Sequence, residues 1–287
     1  MAPGQLHDDT EPRPEDPETS ETSEDLEVSE GPGAPETDES PETPAPAVGW
    51  RRRALDSTPV TLIQAAHPRQ AVATAVVLAA AALASGRPGG EAAIVLATVL
   101  VGQSILGWHN DLVDRERDAA HDTARKPIAQ GRLDAGTAWY ALIIAVLLVI
   151  PLSISVGVTA GVYYLASLVM GLLGNVVLRR GRLSFVPWMV SFALLPAYLS
   201  HGGYGGGAEG DPPQVAMVLG AALLGLGVHF LRAIWGLVED DLDGWTYFPL
   251  VLGRRLGATK LLAWSTGYTA AVVGLLIILG STIGLRQ

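Results

Sequence analysis

Apolar segments long enough to cross a lipid bilayer follow one another along most of this chain. A transmembrane helix needs about 20 predominantly apolar residues. Inside a bilayer, such a segment folds as a helix because it must satisfy its own backbone hydrogen bonds. The sequence therefore predicts an all-α polytopic membrane protein, a bundle of about seven transmembrane helices that sits in a lipid bilayer and has no nucleic-acid partner. The candidate spans are residues 66–86, 91–112, 135–153, 157–178, 184–200, 213–238 and 258–280.

Lysine and arginine residues cluster in every second connection between these spans. Clusters precede the first span and follow the second, fourth and sixth, whereas the other short connections contain almost no basic residue. Cytoplasmic loops of membrane proteins carry such an excess of basic residues. We therefore predict an integral protein of the cell membrane whose N-terminus and basic connections are cytoplasmic. The clusters are Arg51 to Arg53; Arg115, Arg117, Arg125, Lys126 and Arg132; Arg179, Arg180 and Arg182; and Arg254, Arg255 and Lys260.

The first 50 residues differ in composition from the rest. They hold 15 of the 29 acidic side chains, 9 of the 19 prolines and a single basic residue, Arg13. A segment with so much charge and so few apolar residues cannot bury enough surface to fold. We predict a disordered acidic tail over residues 1–55 and a transmembrane domain over residues 56–287. The chain has no cysteine, which excludes disulfides and thiolate chemistry.

A charged run from Asn110 to Asp118 begins at the end of the second candidate span and extends beyond it. Asp111, Asp114 and Asp118 are spaced i, i+3 and i+7, so their carboxylates lie on one face of a helix. Carboxylates at the mouth of a membrane segment are costly unless they are paired or used. Proteins hold Mg²⁺ through one or two carboxylates together with substrate phosphates. The spacing therefore predicts a Mg²⁺ site at this end of the bundle.

A basic, turn-prone segment follows, from Arg125 to Leu133. A diphosphate bridged by Mg²⁺ to the aspartates has further oxygens to satisfy, and Lys126, Arg132 or Arg125 could reach them. Together the two segments read Asn-Asp-x-x-Asp-x-x-x-Asp and then Lys-Pro-x-x-x-Gly-Arg. This combination resembles the first signature of the UbiA superfamily of intramembrane prenyltransferases.

The second aspartate motif of that family should follow the sixth span, where the chain reads Gly-Leu-Val-Glu-Asp-Asp-Leu-Asp-Gly from Gly236 to Gly244. Alignment on Gly244, Pro249 and Gly253 places Asp240 on the second aspartate of the family motif, but Gly236 where the first should be. Two interpretations are open. Glu239, Asp241 or Asp243 supplies the missing carboxylate, since Glu239 and Asp243 are i, i+4, or the second metal site is weakened or lost.

The resemblance implies a bundle around a largely apolar central cavity, capped on the cytoplasmic side by the two aspartate loops. It also implies Mg²⁺ as cofactor, a polyprenyl diphosphate as donor and a lipophilic, in particular aromatic, acceptor. Family members usually have eight or nine spans, so a wall of the cavity would be missing or borrowed from another subunit, which leaves a homo-oligomer open. The expected ligands of the first metal ion are Asp111, Asp114 and Asp118. The expected ligands of the second metal ion are Asp240 with Glu239 or Asp243. The expected diphosphate contacts are Asn110, Lys126 and Arg132, with Arg180 and Arg232 as weaker candidates.

Other interpretations accompany this hypothesis. The protein could be a membrane terpene cyclase of the same superfamily, or a non-catalytic transporter or lipid-binding relative. Residues 239–243 could be an acidic loop without a catalytic role, and Arg179, Arg180 and Arg182 could serve only to orient the chain. Arg232 lies inside the sixth span, where it either snorkels to the membrane surface or faces the cavity. His109 and His229 are expected to make polar contacts between helices.

Overall fold

Every element of secondary structure in the described residues is helical. The computed structural model describes residues 55–121, 123, 126–203 and 212–284, so residues 1–54 of the predicted acidic tail and Arg125 lie outside it. The helices are α1 (Thr58–Ala65), α2 (Pro68–Ala84), α3 (Gly89–Ala120), α4 (Ala135–Ile154), α5 (Val158–Val176), α6 (Phe185–Ser200), α7 (Val215–Ala233), α8 (Leu237–Leu242), α9 (Phe248–Leu256) and α10 (Ala258–Leu279). A 3₁₀ turn (Ile234–Gly236) joins α7 to α8, and a π-helical turn (Gly280–Gly284) follows α10.

The predicted all-α membrane architecture is confirmed, but the count of seven spans is not. Within the described residues, five helical segments are long and apolar enough to cross a membrane: Gly89–Ala120, Ala135–Ile154, Val158–Val176, Val215–Leu242 and Ala258–Thr282. Helices α2 and α6 match the first and fifth predicted spans, yet they contain only 17 and 16 residues. Both fall short of the length that a perpendicular crossing needs.

Local sequence signals explain where several helices begin and end. Pro68 occupies the first position of α2, where its missing N–H is tolerated. Asp134 caps α4, since its side chain accepts a hydrogen bond from the Thr137 N–H at 2.8 Å. Gly157 (φ +134°) separates α4 from α5, and Gly257 (φ +80°) separates α9 from α10. These backbone angles are ones that glycine adopts without strain.

Small residues allow the helices to approach one another closely. Helix α2 turns Ala71, Ala75, Ala79 and Ala82 inward and packs against α3. Small residues are enriched at such interfaces, because close approach replaces the hydrophobic driving force that is absent in lipid. Helix α3 contacts α2, α4 and α5 and lies at the centre of this part of the bundle. Large apolar side chains on the outward faces, such as those of Leu147 and Ile277, are exposed, as a lipid-facing surface requires.

A largely apolar cavity of about 550 Å³ lies inside the bundle, in agreement with the predicted central cavity. Its walls come from α2, α3, α5, α6, α7 and α10. Most of its lining is aliphatic or aromatic, and it includes Tyr164, Trp188 and Phe192. Polar side chains line it as well: His67, Gln70, Gln103, Asn110, Asn175 and Arg232.

Candidate active site

The three aspartates of the first motif lie on one buried face of α3. The exposed fractions of Asp111, Asp114 and Asp118 are 2%, 7% and 6%. Carboxylates buried to this extent are stable only when cations or hydrogen-bond donors face them. Each of the three is matched to a cation from another segment of the chain.

Asp111 is the most enclosed of the three and has two partners on one oxygen. His67 Nε2 lies 3.0 Å and Lys126 Nζ 2.5 Å from Asp111 Oδ1. Among the described residues, no side chain or backbone group donates a hydrogen bond to the buried Asp111 Oδ2. An unsatisfied buried oxygen of this kind calls for a ligand. Asn110, whose Nδ2 is 3.5 Å from Asp111 Oδ1, lines the cavity beside it.

Lys126 bridges the first and last aspartates of this face. Its Nζ also lies 3.3 Å from Asp118 Oδ2. Burial alone would lower the pKa of Lys126, but the charges of Asp111 and Asp118 outweigh it and raise that pKa. The side chain therefore stays positively charged. Asp114 has its own partner, since it forms an ion pair with Arg179, which the sequence suggested only as an orientation charge.

The second motif is connected to the first through Arg117. Arg117 Nη2 donates to Asp240 Oδ1 at 2.6 Å, and Arg117 Nε donates to Asp243 Oδ2. His121 Nε2 lies 2.9 Å from the other oxygen of Asp243. The hydrogen bonds from Arg117 and His121 hold the pKa of Asp243 below its usual value. Two segments more than 120 residues apart in sequence are thus held together by one guanidinium.

Asp240 is also held by a buried phenol. The Tyr247 hydroxyl donates to Asp240 Oδ2, and burial together with this hydrogen bond raises the pKa of Tyr247. Asp241 points elsewhere, because it accepts from Arg254 Nε at 2.5 Å. Glu239 is partly exposed, and its side-chain carboxylate forms no hydrogen bond or ion pair with another described residue.

Two of the predicted diphosphate contacts do not lie against the aspartates. Arg132 faces Asp56 at 3.3 Å and Gln64, and it lines a second, more open cavity of about 800 Å³. His67 and Gln70 line both cavities, so the two spaces adjoin there. Arg180 lies with its guanidinium 5.4 Å from the ring centre of Trp245, as one of three arginines around that ring, with Arg117 at 4.4 Å and Arg179 at 5.0 Å.

The polar residues inside the bundle have clear positions. Arg232 lines the cavity, where its guanidinium donates to Gln70 Oε1, an arrangement that agrees with the cavity-facing alternative. His109 Nδ1 lies 3.3 Å from Asn175 Nδ2, and His229 Nε2 lies 3.0 Å from Ser184 Oγ. Both histidines make the contacts between helices that the sequence led us to expect.

Sequence reasoning missed four residues of this site: His67, Arg117, Arg179 and Tyr247. His67 has a left-handed backbone (φ +53°) directly before a proline, and the sequence contains no pattern that predicts this conformation. Arg117 was interpreted as one of the charges interleaved with the first-motif aspartates, although its partners lie in the second motif. A signal for Tyr247 was available, since it follows Asp240 by seven residues in the same motif.

The described residues contain no group of three or more His, Cys, Asp or Glu side chains already converged on one metal position. The carboxylates of the first motif face cations of the chain instead, since Lys126 Nζ lies between Asp111 and Asp118, and Arg179 is paired with Asp114. The donor set does suit Mg²⁺ held by one or two carboxylates, with a ligand supplying further oxygens.

Comparisons with known proteins agree with the fold. Residues 69–285 match the model of the UbiA prenyltransferase family. Among solved structures, the chain is similar to a UbiA homolog from Archaeoglobus fulgidus bound to DMAPP and Mg²⁺, with 19% identity, a TM-score of 0.58, and coverage of 78% of this chain and 80% of that one. The same homolog bound to GPP and Mg²⁺ gives 19% identity, a TM-score of 0.56, and coverage of 75% and 76%. No curated protein matched the chain. Because the family model spans most of its length, this chain belongs to the UbiA prenyltransferase family.

Proposed function

We propose that this protein is a Mg²⁺-dependent membrane prenyltransferase that moves a prenyl group from an isoprenoid diphosphate to an aromatic or other lipophilic acceptor. The observation that carries this proposal is the first-motif face of α3. There, three buried carboxylates stand beside the mouth of an apolar cavity, and one of them, Asp111, has an oxygen with no donor. Family membership and homologs bound to Mg²⁺ with GPP or DMAPP support it.

The charges around the aspartates suit a diphosphate. Lys126 and Arg179 already lie against Asp111, Asp118 and Asp114, so cations are in place for phosphate oxygens as well as for carboxylates. Mg²⁺ held by Asp111 and its neighbours would supply positive charge that stabilises the departing diphosphate. Asn110 and His67 contact Asp111 and also line the cavity. The reacting end of a prenyl chain would lie at this junction between the aspartates and the cavity.

The cavity suits the rest of the reaction. A volume of about 550 Å³ is within the usual range for small-molecule sites. Its apolar lining excludes water, which would otherwise quench an allylic carbocation. The faces of Tyr164, Trp188 and Phe192 offer negative potential to a cation. The acceptor would enter the same space and be alkylated there.

Diphosphate release tests the proposal. Purified protein in detergent is incubated with prenyl diphosphates of increasing length, with Mg²⁺ or with EDTA. Asp111→Asn keeps the shape of the side chain but removes its charge, and we expect it to slow release by about 10²- to 10³-fold, as the loss of a preorganised electrostatic group does. The matched control is Asp134→Asn, since Asp134 caps α4 outside the site and asparagine also caps well.

Two results would contradict the proposal. Release that proceeds equally in EDTA, or that Asp111→Asn leaves unchanged, would remove the metal and the aspartate from the chemistry. The absence of release from folded protein across the whole panel would favour a transporter or lipid-binding role. Analysis of the products separates transfer from cyclisation, because a cyclase forms its hydrocarbon product without any acceptor.

A further inference from the structure

Asp240 and Asp243 of the second motif differ from Asp111 of the first, because both oxygens of each carboxylate are engaged. Arg117 binds Asp240 Oδ1 at 2.6 Å, and Tyr247 binds Asp240 Oδ2. The two oxygens of Asp243 face Arg117 and His121. By contrast, Asp111 Oδ2 in the first motif is buried and accepts no hydrogen bond from any described residue. A metal bound by Asp240 or Asp243 would have to displace protein partners from every oxygen that it used.

Gly236 removes a ligand from the second motif. It lies one helical turn before Asp240, and a Cβ built on it would lie 3.1 Å from Asp240 Oδ2. A carboxylate at this position would therefore stand beside that of Asp240. Asp243 does not substitute for it, because Arg117 and His121 occupy both of its oxygens. Glu239 does not substitute either, because it directly precedes Asp240 and adjacent residues do not face each other on a helix.

A cation faces the cavity one turn before Gly236. Arg232 lies in the last turn of α7, four residues before Gly236, which ends the 3₁₀ turn that follows α7. Its guanidinium donates to the neutral Gln70, which also lines the cavity. Arginine inside a membrane segment is expensive and is retained mainly where it serves a function. Its fork of donors suits phosphate oxygens.

We propose that this chain binds a single divalent metal ion, at the first motif, and that Arg232 provides the positive charge that a second ion would otherwise bring to the diphosphate. This inference rests on the proposed function and makes it more specific. The second motif then serves as a clamp, in which Arg117 ties Asp240 and Asp243 to α3. The chain lacks a carboxylate at Gly236 and carries a cation at Arg232, and both features make a second metal ion less necessary for holding the diphosphate.

Counting bound Mn²⁺ tests the proposal without relying on activity. Purified protein in detergent is dialysed to equilibrium against Mn²⁺ and inorganic diphosphate, so that complexes in solution are equal on both sides. Retained Mn²⁺ is then quantified and its electron paramagnetic resonance spectrum recorded. We expect one Mn²⁺ per chain with the six-line spectrum of an isolated ion. Two ions with a spin-coupled spectrum would overturn the inference and leave the proposed function intact, whereas no bound ion would overturn both.

Two variants test the roles of the individual residues. Gly236→Asp is expected to raise the count towards two, and a count that stays at one would show that Gly236 is not the reason for the single ion. Arg232→Gln is expected to weaken the binding of inorganic diphosphate by about 10- to 100-fold, the effect of losing a hydrogen bond to a charged group. Arg255→Gln, a change at an exposed arginine of α9, is the charge-matched control. Unchanged affinity in Arg232→Gln would overturn the assignment of Arg232, and gel filtration shows whether each variant is folded.

Discussion

The link that Arg117 makes between the two aspartate motifs allows a quantitative prediction. The Arg117 side chain is 22% exposed and that of Asp240 is 10% exposed, so their ion pair is largely shielded from water. Arg117 also lies 4.4 Å from the ring centre of Trp245. Replacing Arg117 by methionine keeps the length of the side chain but leaves Asp240 with Tyr247 as its hydrogen-bond donor. We expect the variant to lose folding stability and to loosen the second motif from α3.

The magnitude follows from the type of contact. A hydrogen bond to a charged group contributes about 1.5–3 kcal/mol, and breaking a fully buried ion pair costs about 3–5 kcal/mol. Arg117 and Asp240 are partly shielded, and Tyr247 remains on the carboxylate, so we expect a coupling free energy of about 2 kcal/mol. The contact with Trp245 adds about 0.5 kcal/mol to the single variant but cancels in the coupling.

A double-mutant cycle measures this coupling. The free energy of unfolding is determined for the parent protein, Arg117→Met, Asp240→Asn and the double variant, by titrating detergent-solubilised protein with sodium dodecyl sulfate and following helix content by circular dichroism. A parallel cycle on Arg115 and Glu116 is the control. Those residues are adjacent on α3 at 3.5 Å, and their side chains are 49% and 88% exposed, so their coupling should stay below about 0.5 kcal/mol. A similarly small value for Arg117 and Asp240 would refute the bridge between the motifs.

Two further predictions concern packing and a second buried ion pair. Gly107→Ala should destabilise the protein by about 1–3 kcal/mol, because a Cβ at this position would lie 2.8 Å from the backbone carbonyl carbon of Ala66. Gly274→Ala is the control and should be neutral or stabilising, because no atom lies within 4 Å of its Cβ. Thermal unfolding midpoints measured in detergent compare the two variants. Arg87 and Glu91 pair at 3.1 Å with side chains only 4% and 5% exposed, so Arg87→Met should cost about 3 kcal/mol, and adding Glu91→Gln should restore more than half of it in the same denaturation assay. The Glu91→Gln single variant completes the cycle, and a loss in the double variant equal to the sum of the two single-variant losses would show that the pair is not coupled.

Much of the fold could be predicted because uninterrupted apolar runs identify membrane helices in a sequence. The predicted boundaries lie within a few residues of those of α2, α4, α5, α6 and α10. The exceptions have local causes. Helix α3 continues through the charged run to Ala120, because Asp111, Asp114 and Asp118 face partners and not lipid. The sixth span is interrupted at Ile234–Gly236, where no proline marks the break.

The partners of the charged residues were harder to predict. The aspartates were recognisable from their spacing, but their partners come from the α1–α2 connection, the segment after α3 and the α5–α6 connection. Pairings of this kind depend on tertiary packing, which a single sequence does not encode locally. Arg132 illustrates the error that results, since its place in the motif suggested a contact with diphosphate, while in the structure it faces Asp56 and Gln64.

His67, Gly107 and Asp111 act together to prepare the oxygen on which the proposed function depends. A non-glycine residue in the left-handed region is strained by about 1–3 kcal/mol, and the proline that follows His67 restricts its backbone further. Such a conformation persists only when the surroundings impose it. Gly107 has no side chain, so the Ala66 backbone can approach α3 closely enough for His67 to reach Asp111 Oδ1. With His67 and Lys126 both on Oδ1, Asp111 Oδ2 is left as the oxygen available to a ligand, so the strain at His67 and the donor-free oxygen of Asp111 have one structural cause.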